Sequence, residues 1–467
     1  MNGQFYYGLK VYDDSWHRWV DAVVTSQNKL YVNNLRKEGK GENSEWIGKN
    51  QILDEFGLEY ENQLLKEQIR YNWGKEGEYG ILNYLQGKCP LVVGNDIFNE
   101  LFEKNKEFIY QSDERTHKLI ALIVVSTYFI ALFNEFGRVH LCGAKESGKS
   151  TQSRLIGHYT FNTLTLGSVT EAYFSKVVDS TAGTVIIDDI DDVSEELGRV
   201  IRHMDKVGYK REYAVRCLMS QDKSGTPLLY EYFCPFIKNS IEEPDITSAS
   251  RNYIIDMVKA PFGVKLGNFR KNSKPEQLIR DKLYVYALQN WEQVLKNYET
   301  LENVGLGGRD EEIGIPLLAV AKAIDEELFN EIKAYLPERA ERQKKQQEQG
   351  SLFLLGCTAA MQTTIPEPNN KIEFSIKQIV DWLVGVGEVS EKERDGFGKR
   401  IGREFRTHKG IFDEVSHHNK RVYRILPNEL LNYLQTRGVL GLIDWGGMPK
   451  EWVELQKKRE ALTSYMN

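Results

Sequence analysis

Eight consecutive residues, Gly143-Ala144-Lys145-Glu146-Ser147-Gly148-Lys149-Ser150, carry the plainest chemistry in the chain. Glycines at the two ends of such a turn let the backbone wrap, so that successive N–H groups point into one hollow at the start of a helix. A lysine and a hydroxyl directly after the second glycine complete a pattern for holding a triphosphate. Lys149 reaches the β- and γ-phosphates, and the Ser150 hydroxyl ligates Mg²⁺. The flanks agree: Arg138–Cys142 reads as a strand, and the residues from Ser150 through Thr151 to Tyr159 read as a helix. The expectation is ATP with Mg²⁺, its phosphates cradled by Gly143 to Thr151. The alternative, a chance Gly/Ser loop, does not account for the strand and helix around it.

A second acidic element follows. Thr184-Val185-Ile186-Ile187-Asp188-Asp189 is an apolar strand ending in two carboxylates. Burying the aliphatic residues leaves the acids at the strand's C-terminal end, beside the phosphate loop. Asp188 then holds Mg²⁺ through water, and Asp189 orients or deprotonates the attacking water. The alternative is a buried strand running into an acidic loop, and Asp191 and Asp192 read as that loop.

Further downstream, Tyr213–Met219 and Leu228–Phe233 are strand-like and flank the turn-rich Ser220–Pro227, which predicts a β-hairpin. Lys223 sits at its tip, with Lys210 and Arg211 nearby. A core strand over Phe233–Lys238 is followed by Asn239; Pro235 is awkward there, because proline cannot donate to a ladder. Arg251 precedes the apolar strand Tyr253–Met257. Arg309 opens a helix running to Ala321, although a cation is not the favoured charge at a helix start.

These motifs together resemble the AAA+ ATPases, in the branch that holds superfamily-3 and minichromosome-maintenance (MCM) helicases. Related ATPases occur in replication modules of plasmids, phages and integrated elements. The resemblance covers about residues 115–330. It implies that Asn239 reads the γ-phosphate and positions water, that Arg251 is an arginine finger acting on a neighbour's ATP, and that Arg309 contacts the γ-phosphate. It also implies that the hairpin projects Lys223 into a central channel, and that the assembly is a homo-hexamer moving on single-stranded or forked DNA, with other replication proteins as further partners. The plainer readings stay beside these: a solvated hairpin turn, a turn asparagine, a surface arginine at a loop end and a decorated helix start.

Near the C-terminus, Phe374–Leu383 reads as a helix, and Glu391–Thr407 as a second with Phe397, Ile401 and Phe405 at four-residue steps. The second helix carries Lys399, Arg400, Arg403 and Arg406 on its other face. Ile411–Val415 and Val422–Leu426 then form a hairpin whose turn holds Lys420 and Arg421. This order resembles a winged helix. Between 394 and 424 there are nine Lys and Arg against four acids, a balance of +5 where the whole chain has −6. Such concentration is an electrostatic footprint for DNA phosphates. A winged helix used for protein contact is the alternative.

The elements that must position these groups fit an α/β chain. At 467 residues, with about 150 per domain, roughly three domains are expected. The reading is an N-terminal β-rich, α+β region over 1–112 (a collar around DNA being one possibility), an AAA+ P-loop core with a parallel sheet over 113–265, and a helical lid over 266–345. A linker over 346–369, a winged helix over 370–432 and a tail over 433–467 complete it. The strands expected in the core are Arg138–Cys142, Thr163–Leu166, Thr184–Ile187 and Phe233–Lys238. The five cysteines form no C-x-x-C pair, which gives zinc no ligand pattern and fits reduced thiols in a cytoplasmic protein. Leu119–Phe133 is apolar but shorter than the ~20 residues that span a bilayer, so a buried helix is expected and no membrane. No primase motif is visible.

The function that follows is an ATP-dependent DNA helicase or translocase. Two rivals share the motifs: a non-unwinding replication initiator or loader that binds DNA, and a P-loop kinase or other small-molecule enzyme, which predicts a monomer indifferent to DNA.

Overall fold

The computed structural model describes residues 4–13, 17–38, 45–56, 73–167, 170–181, 183–190, 193–219, 227–241, 244, 246–269, 274–349, 352–367, 369–391, 394–407, 412–417, 420–436, 440 and 443–466. The chain divides into two compact units, Met1–Glu338 and Arg339–Asn467.

The first unit opens with an antiparallel meander of β1 (Tyr6–Asp13), β2 (Arg18–Thr25) and β3 (Leu30–Asn33). Two short strands, β4 (Arg36–Glu38) and β5 (Glu45–Ile47), pair with each other. Side chains alternate across a strand, so Phe5, Tyr7 and Leu9 face inward with Ala22 and Val24. They do not make a core of their own. Phe5 stacks on Phe129 and Trp291, Tyr7 lies edge-on to Tyr284, and the Tyr7 hydroxyl donates to the Tyr128 carbonyl. Trp73 stacks on Tyr284 at 5.3 Å. The boundary expected at 112/113 therefore does not separate two cores: one hydrophobic cluster runs from Phe5 to Leu336.

The apolar run is the helix Glu114–Thr127, and every residue from Leu119 to Thr127 is buried. Asp113 caps it by accepting from the Arg115 N–H at 3.0 Å. This helix leads into β6 (Arg138–Cys142) and the helix Lys149–Tyr159. Next come β7 (Leu164–Leu166) and β8 (Val185–Ile187), then the hairpin of β9 (Val215–Met219) and β10 (Pro227–Glu231). β11 (Phe236–Ser240) and β12 (Asn252–Asp256) follow.

Strands β12-β6-β11-β8-β7, in that order, form one parallel sheet. The chain is thus mixed α/β, with near-continuous apolar strands as expected of a sheet covered on both faces. β11 starts three residues later than expected, which leaves Pro235 just outside it. The Pro235 carbonyl accepts from Val185 N–H at 2.9 Å, so no ladder donor is missing. Asn239 lies inside β11 rather than after it. The helices Lys274–Thr300 and Arg309–Ile324 pack into the same core through Leu283, Tyr284, Leu317 and Leu318.

The second unit has its own core around Phe353, Phe374, Phe405, Tyr423 and Trp452. The expected linker over 346–369 contains the helix Leu352–Gln362, whose Cys357, Ala359, Ala360 and Met361 are fully buried. The expected tail contains the helix Lys450–Met466, where Trp452 is buried and its indole N–H donates to the Thr364 carbonyl at 3.0 Å. Phe374 lies in β13 (Ile372–Ser375), not in a helix. Ser375 closes a capping box with Gln378, so the helix Ile376–Gly385 starts two residues later than expected. The helix Arg394–Thr407 follows. β14 (Asp413–His417) and β15 (Lys420–Ile425) pair, and β13 adds to β15 on the other side.

Candidate functional site

The loop between β6 and the helix Lys149–Tyr159 takes a shape that side chains resist. Gly143 has φ 151° and Gly148 has φ 92°, both in the region that favours glycine. A Cβ on Gly143 would sit 2.2 Å from the Met257 carbonyl oxygen. Glu146, at the turn's apex with φ 63°, is exposed and pairs with Lys259 at 3.1 Å. Ala144 and Lys145 are exposed, and Thr151 is half-buried on the helix's first turn. The Lys149 ammonium is folded onto the loop, donating to the carbonyls of Gly143 at 2.5 Å and Ala144 at 2.9 Å.

Parallel pairing brings β8 and β11 beside this loop at their C-terminal ends, where open α/β sheets bind ligands. The order places β11 between β6 and β8, so Asn239 lies between the loop and Asp188. The Ser150 hydroxyl donates to Asp188 Oδ1 at 3.0 Å. The Asn239 amide donates to the same oxygen and to the Ser153 hydroxyl at 3.1 Å. Asp189 is exposed and has φ 62°, a backbone state few non-glycine residues adopt. Lys149, Ser150, Asp188 and Asn239 thus converge.

The residues present fit a nucleotide with its metal. A hydroxyl and a carboxylate held together are hard oxygen donors of the kind Mg²⁺ takes. The Ser147 hydroxyl is buried inside the loop without a partner among the described residues, an orphan donor suited to an anion. Among the described residues no group of three or more His, Cys, Asp and Glu could hold a metal ion by itself.

The two arginines lie elsewhere. Asn252 pairs with Arg138 and Asp256 with Cys142, so Arg251 precedes the end of β12 far from the phosphate loop. Four strand residues separate the two levels, ~13 Å at ~3.3 Å per residue. Arg251 is buried, with its guanidinium 5.4 Å from the Tyr209 ring centroid. Arg309 is exposed and donates to the Ser250 hydroxyl at 3.3 Å. The structure therefore groups Arg251 with Arg309 and sets both apart from their own chain's phosphate loop.

The other expected cations divide. Lys210 pairs with Glu135 at 3.4 Å and Glu312 at 3.2 Å. Arg211 donates to the carbonyls of Phe133 and Ile130, pairs with Glu231 and lies over the Phe233 ring. Both are thus paired within the first unit. Lys223 lies outside the described residues, as do Asp191 and Asp192. In the second unit Lys399 and Arg400 are exposed on the helix Arg394–Thr407. Arg403 and Arg406 lie on the same helix, and Lys420 and Arg421 on β15; their side chains are outside the described ones. Arg394 pairs with Glu391 and Asp381, and Arg424 with Glu373, which trims the free charge counted from the sequence.

Three features went unread in the sequence. Ser153, one helical turn after Ser150, supports Asn239; its i+3 spacing was the available signal. Beneath the site, Lys238 and Asp205 form a fully buried ion pair, and Arg138 is buried nearby. Burial lowers the pKa of Lys238, and Asp205 opposes this; burial also lowers that of Arg138. His140 bonds Ser240 at 2.5 Å, and burial, then Lys238, pushes its pKa down to about 3.

No protein-family model and no curated protein sequence matches the chain. Solved structures with similar chain paths include an active helicase, Cch of SCCmec type IV, at 9% identity and TM-score 0.36, over 92% of this chain and 94% of that one. A full-length MCM homolog from Methanopyrus kandleri is 13% identical with TM-score 0.32, over 54% of this chain and 61% of that one. The apo A form of the NrS-1 C-terminal region is 12% identical with TM-score 0.31, over 87% and 93%. Among the described residues no helix is long and apolar enough to cross a membrane.

Proposed function

We propose that this chain is an ATPase whose active site is completed by a second copy, and that the assembly, a homo-hexameric ring, is a DNA helicase. The observation that carries this is the separation within one sheet. Ser150, Asp188 and Asn239 meet at its C-terminal end, while Arg251 and Arg309 lie together at its other end.

Bound ATP and Mg²⁺ supply the scissile phosphoanhydride and the charge that offsets it. Lys149 leaves the loop carbonyls and neutralises the β- and γ-phosphates. Ser150 and Asp188 hold the metal, Asn239 orients the attacking water and Asp189 accepts its proton. Arg251 and Arg309 of the neighbouring copy stabilise charge as the γ-phosphate departs, an effect worth ~10³-fold or more for an arginine supplied in trans. Hydrolysis then alters the contact between copies and moves the β9–β10 hairpins along DNA. The exposed Lys399 and Arg400, with the other cations of the second unit, bind DNA phosphate in the manner of a winged helix. Replication of a mobile element is the setting this activity suits.

Mixing two inactive variants tests the split site. Lys149→Ala removes the phosphate lysine and Arg251→Ala the arginine, and each alone loses hydrolysis. In mixed assemblies, an intact loop from one variant faces an intact arginine from the other, so activity returns. If the mixture stays dead, with both variants folded and assembled, the shared site is wrong. Strand displacement on forked DNA separates a helicase from a loader: hydrolysis stimulated by DNA without displacement favours the loader.

A further inference from the structure

The segment after β12 is unlike the rest of the first unit. From Pro261 to Asn268 every residue is exposed, and the Phe262 side chain is fully exposed. Val258, Val264 and Leu266 are exposed with it. Yet both ends are pinned. Met257 N–H donates to the Cys142 carbonyl at 2.6 Å, and Lys259 pairs with Glu146 of the phosphate loop. At the other end Gly267 N–H donates to the Glu107 carbonyl at 2.8 Å, and Phe269 packs edge-on against Phe108 and His158. The result is a held apolar strap beside the phosphate loop.

We infer that this strap is the docking surface for a second copy of the chain, and that it meets the foot of that copy's β9–β10 hairpin. The inference rests on the split site proposed above. A head-to-tail contact needs two different patches on one molecule. The strap supplies the patch at the phosphate end. At the arginine end Tyr213 and Val215 are exposed. Their position is fixed by Tyr232, whose N–H donates to the Ala214 carbonyl at 2.6 Å and whose carbonyl accepts from Arg138 at 3.3 Å, at the same sheet end as Arg251. A copy that brings Arg251 to a neighbour's triphosphate brings Tyr213 and Val215 to the same side. Aromatic residues in the middle of such contacts carry much of their energy, and Phe262 is the strap's anchor.

The test uses the full chain. Phe262→Ser removes a fully exposed side chain, so thermal unfolding stays unchanged. Assembly with a non-hydrolysable ATP analogue then needs ~10-fold more protein, the factor expected from one lost anchor. Hydrolysis per chain falls at low concentration and recovers at high concentration. Binding of a fluorescent ATP analogue to dilute monomer is unchanged. Replacing Phe262 with p-benzoylphenylalanine and irradiating the assembly links it to a peptide containing Tyr213 from another copy. Assembly unaffected by Phe262→Ser overturns the strap. So does a cross-link only within one chain, or weaker nucleotide binding by dilute monomer, which would make the strap part of its own chain's nucleotide site. Failure of the split-site reading shows separately, in the unmodified strap: the Lys149→Ala and Arg251→Ala mixture stays inactive.

Discussion

The Ser150 hydroxyl donates to Asp188 Oδ1 across 3.0 Å, joining the first turn of the helix after β6 to the end of β8, 38 residues apart. Asn239 adds a second donor to that same oxygen. One carboxylate thus aligns the candidate metal ligand with the residue proposed to orient water. Ser150→Ala keeps the backbone and removes one oxygen. Hydrolysis falls ~10²-fold, the scale for one preorganised polar group, and excess Mg²⁺ recovers part of it. Steady-state ATPase measured against Mg²⁺ concentration checks this. An unchanged rate would remove Ser150 from the metal site.

Gly143 and Gly148 separate shape from space. Both have positive φ, but only Gly143 faces an immediate obstacle, the Met257 carbonyl at 2.2 Å from a built Cβ. At Gly148 the nearest atom is a methyl at 3.9 Å. Gly143→Ala therefore costs strain and a clash, ~2–4 kcal/mol, while Gly148→Ala costs strain alone, ~1–2 kcal/mol. Denaturant unfolding of the two variants side by side measures the difference.

What the sequence made legible was local. The phosphate loop spans eight neighbouring residues, and its glycine, lysine and serine spacing survives without knowing any contact. The aromatic and β-branched strands at the N-terminus were equally readable. Their membership of the main core was not, because it depends on Tyr7 reaching Tyr128 and Trp73 reaching Tyr284. Lys210 and Arg211 looked like free charge for the same reason: their partners Glu135, Glu312 and Glu231 are distant in sequence. The sequence from Pro337 to Gly350 is mostly charged and amide side chains, and it masked the apolar helix that follows, which the second unit buries. The placing of Arg309 against Ser250, next to Arg251, needed the sheet's register and the fold of the helix Arg309–Ile324 together.

The buried pair of Lys238 and Asp205 supports β11, which carries Asn239. Removing one member of a buried pair costs ~3–5 kcal/mol, because the other charge is left uncompensated. The two partners are not equivalent here. Arg138 is also buried and is attracted to Asp205. Asp205→Ala strands two cations, whereas Lys238→Met leaves Asp205 with Arg138. The first variant is therefore the less stable, and the double variant Asp205→Leu with Lys238→Met loses less than Asp205→Ala alone. Thermal unfolding of the three decides this, and equal losses from both single variants would show that Arg138 takes no part.

Asp281 gives the clearest dependence on pH. Its carboxylate accepts from the Gly74 N–H at 2.7 Å and from the Gln277 amide at 2.8 Å, joining the Trp73 segment to the helix Lys274–Thr300. Burial outweighs these bonds and pushes its pKa up to about 6 from an ordinary 3.8. A carboxyl raised in this way stabilises the fold most when protonated in both states, below about pH 4. That contribution fades as pH rises through about 6, by up to ~3 kcal/mol on the linkage scale. Asp281→Asn keeps an acceptor oxygen and cannot ionise. The variant is expected to match the parent near pH 4 and to be the more stable at pH 7. Unfolding free energies of the two across this range supply the difference curve. A variant less stable than the parent at pH 7 would show that the ionised carboxylate strengthens this junction.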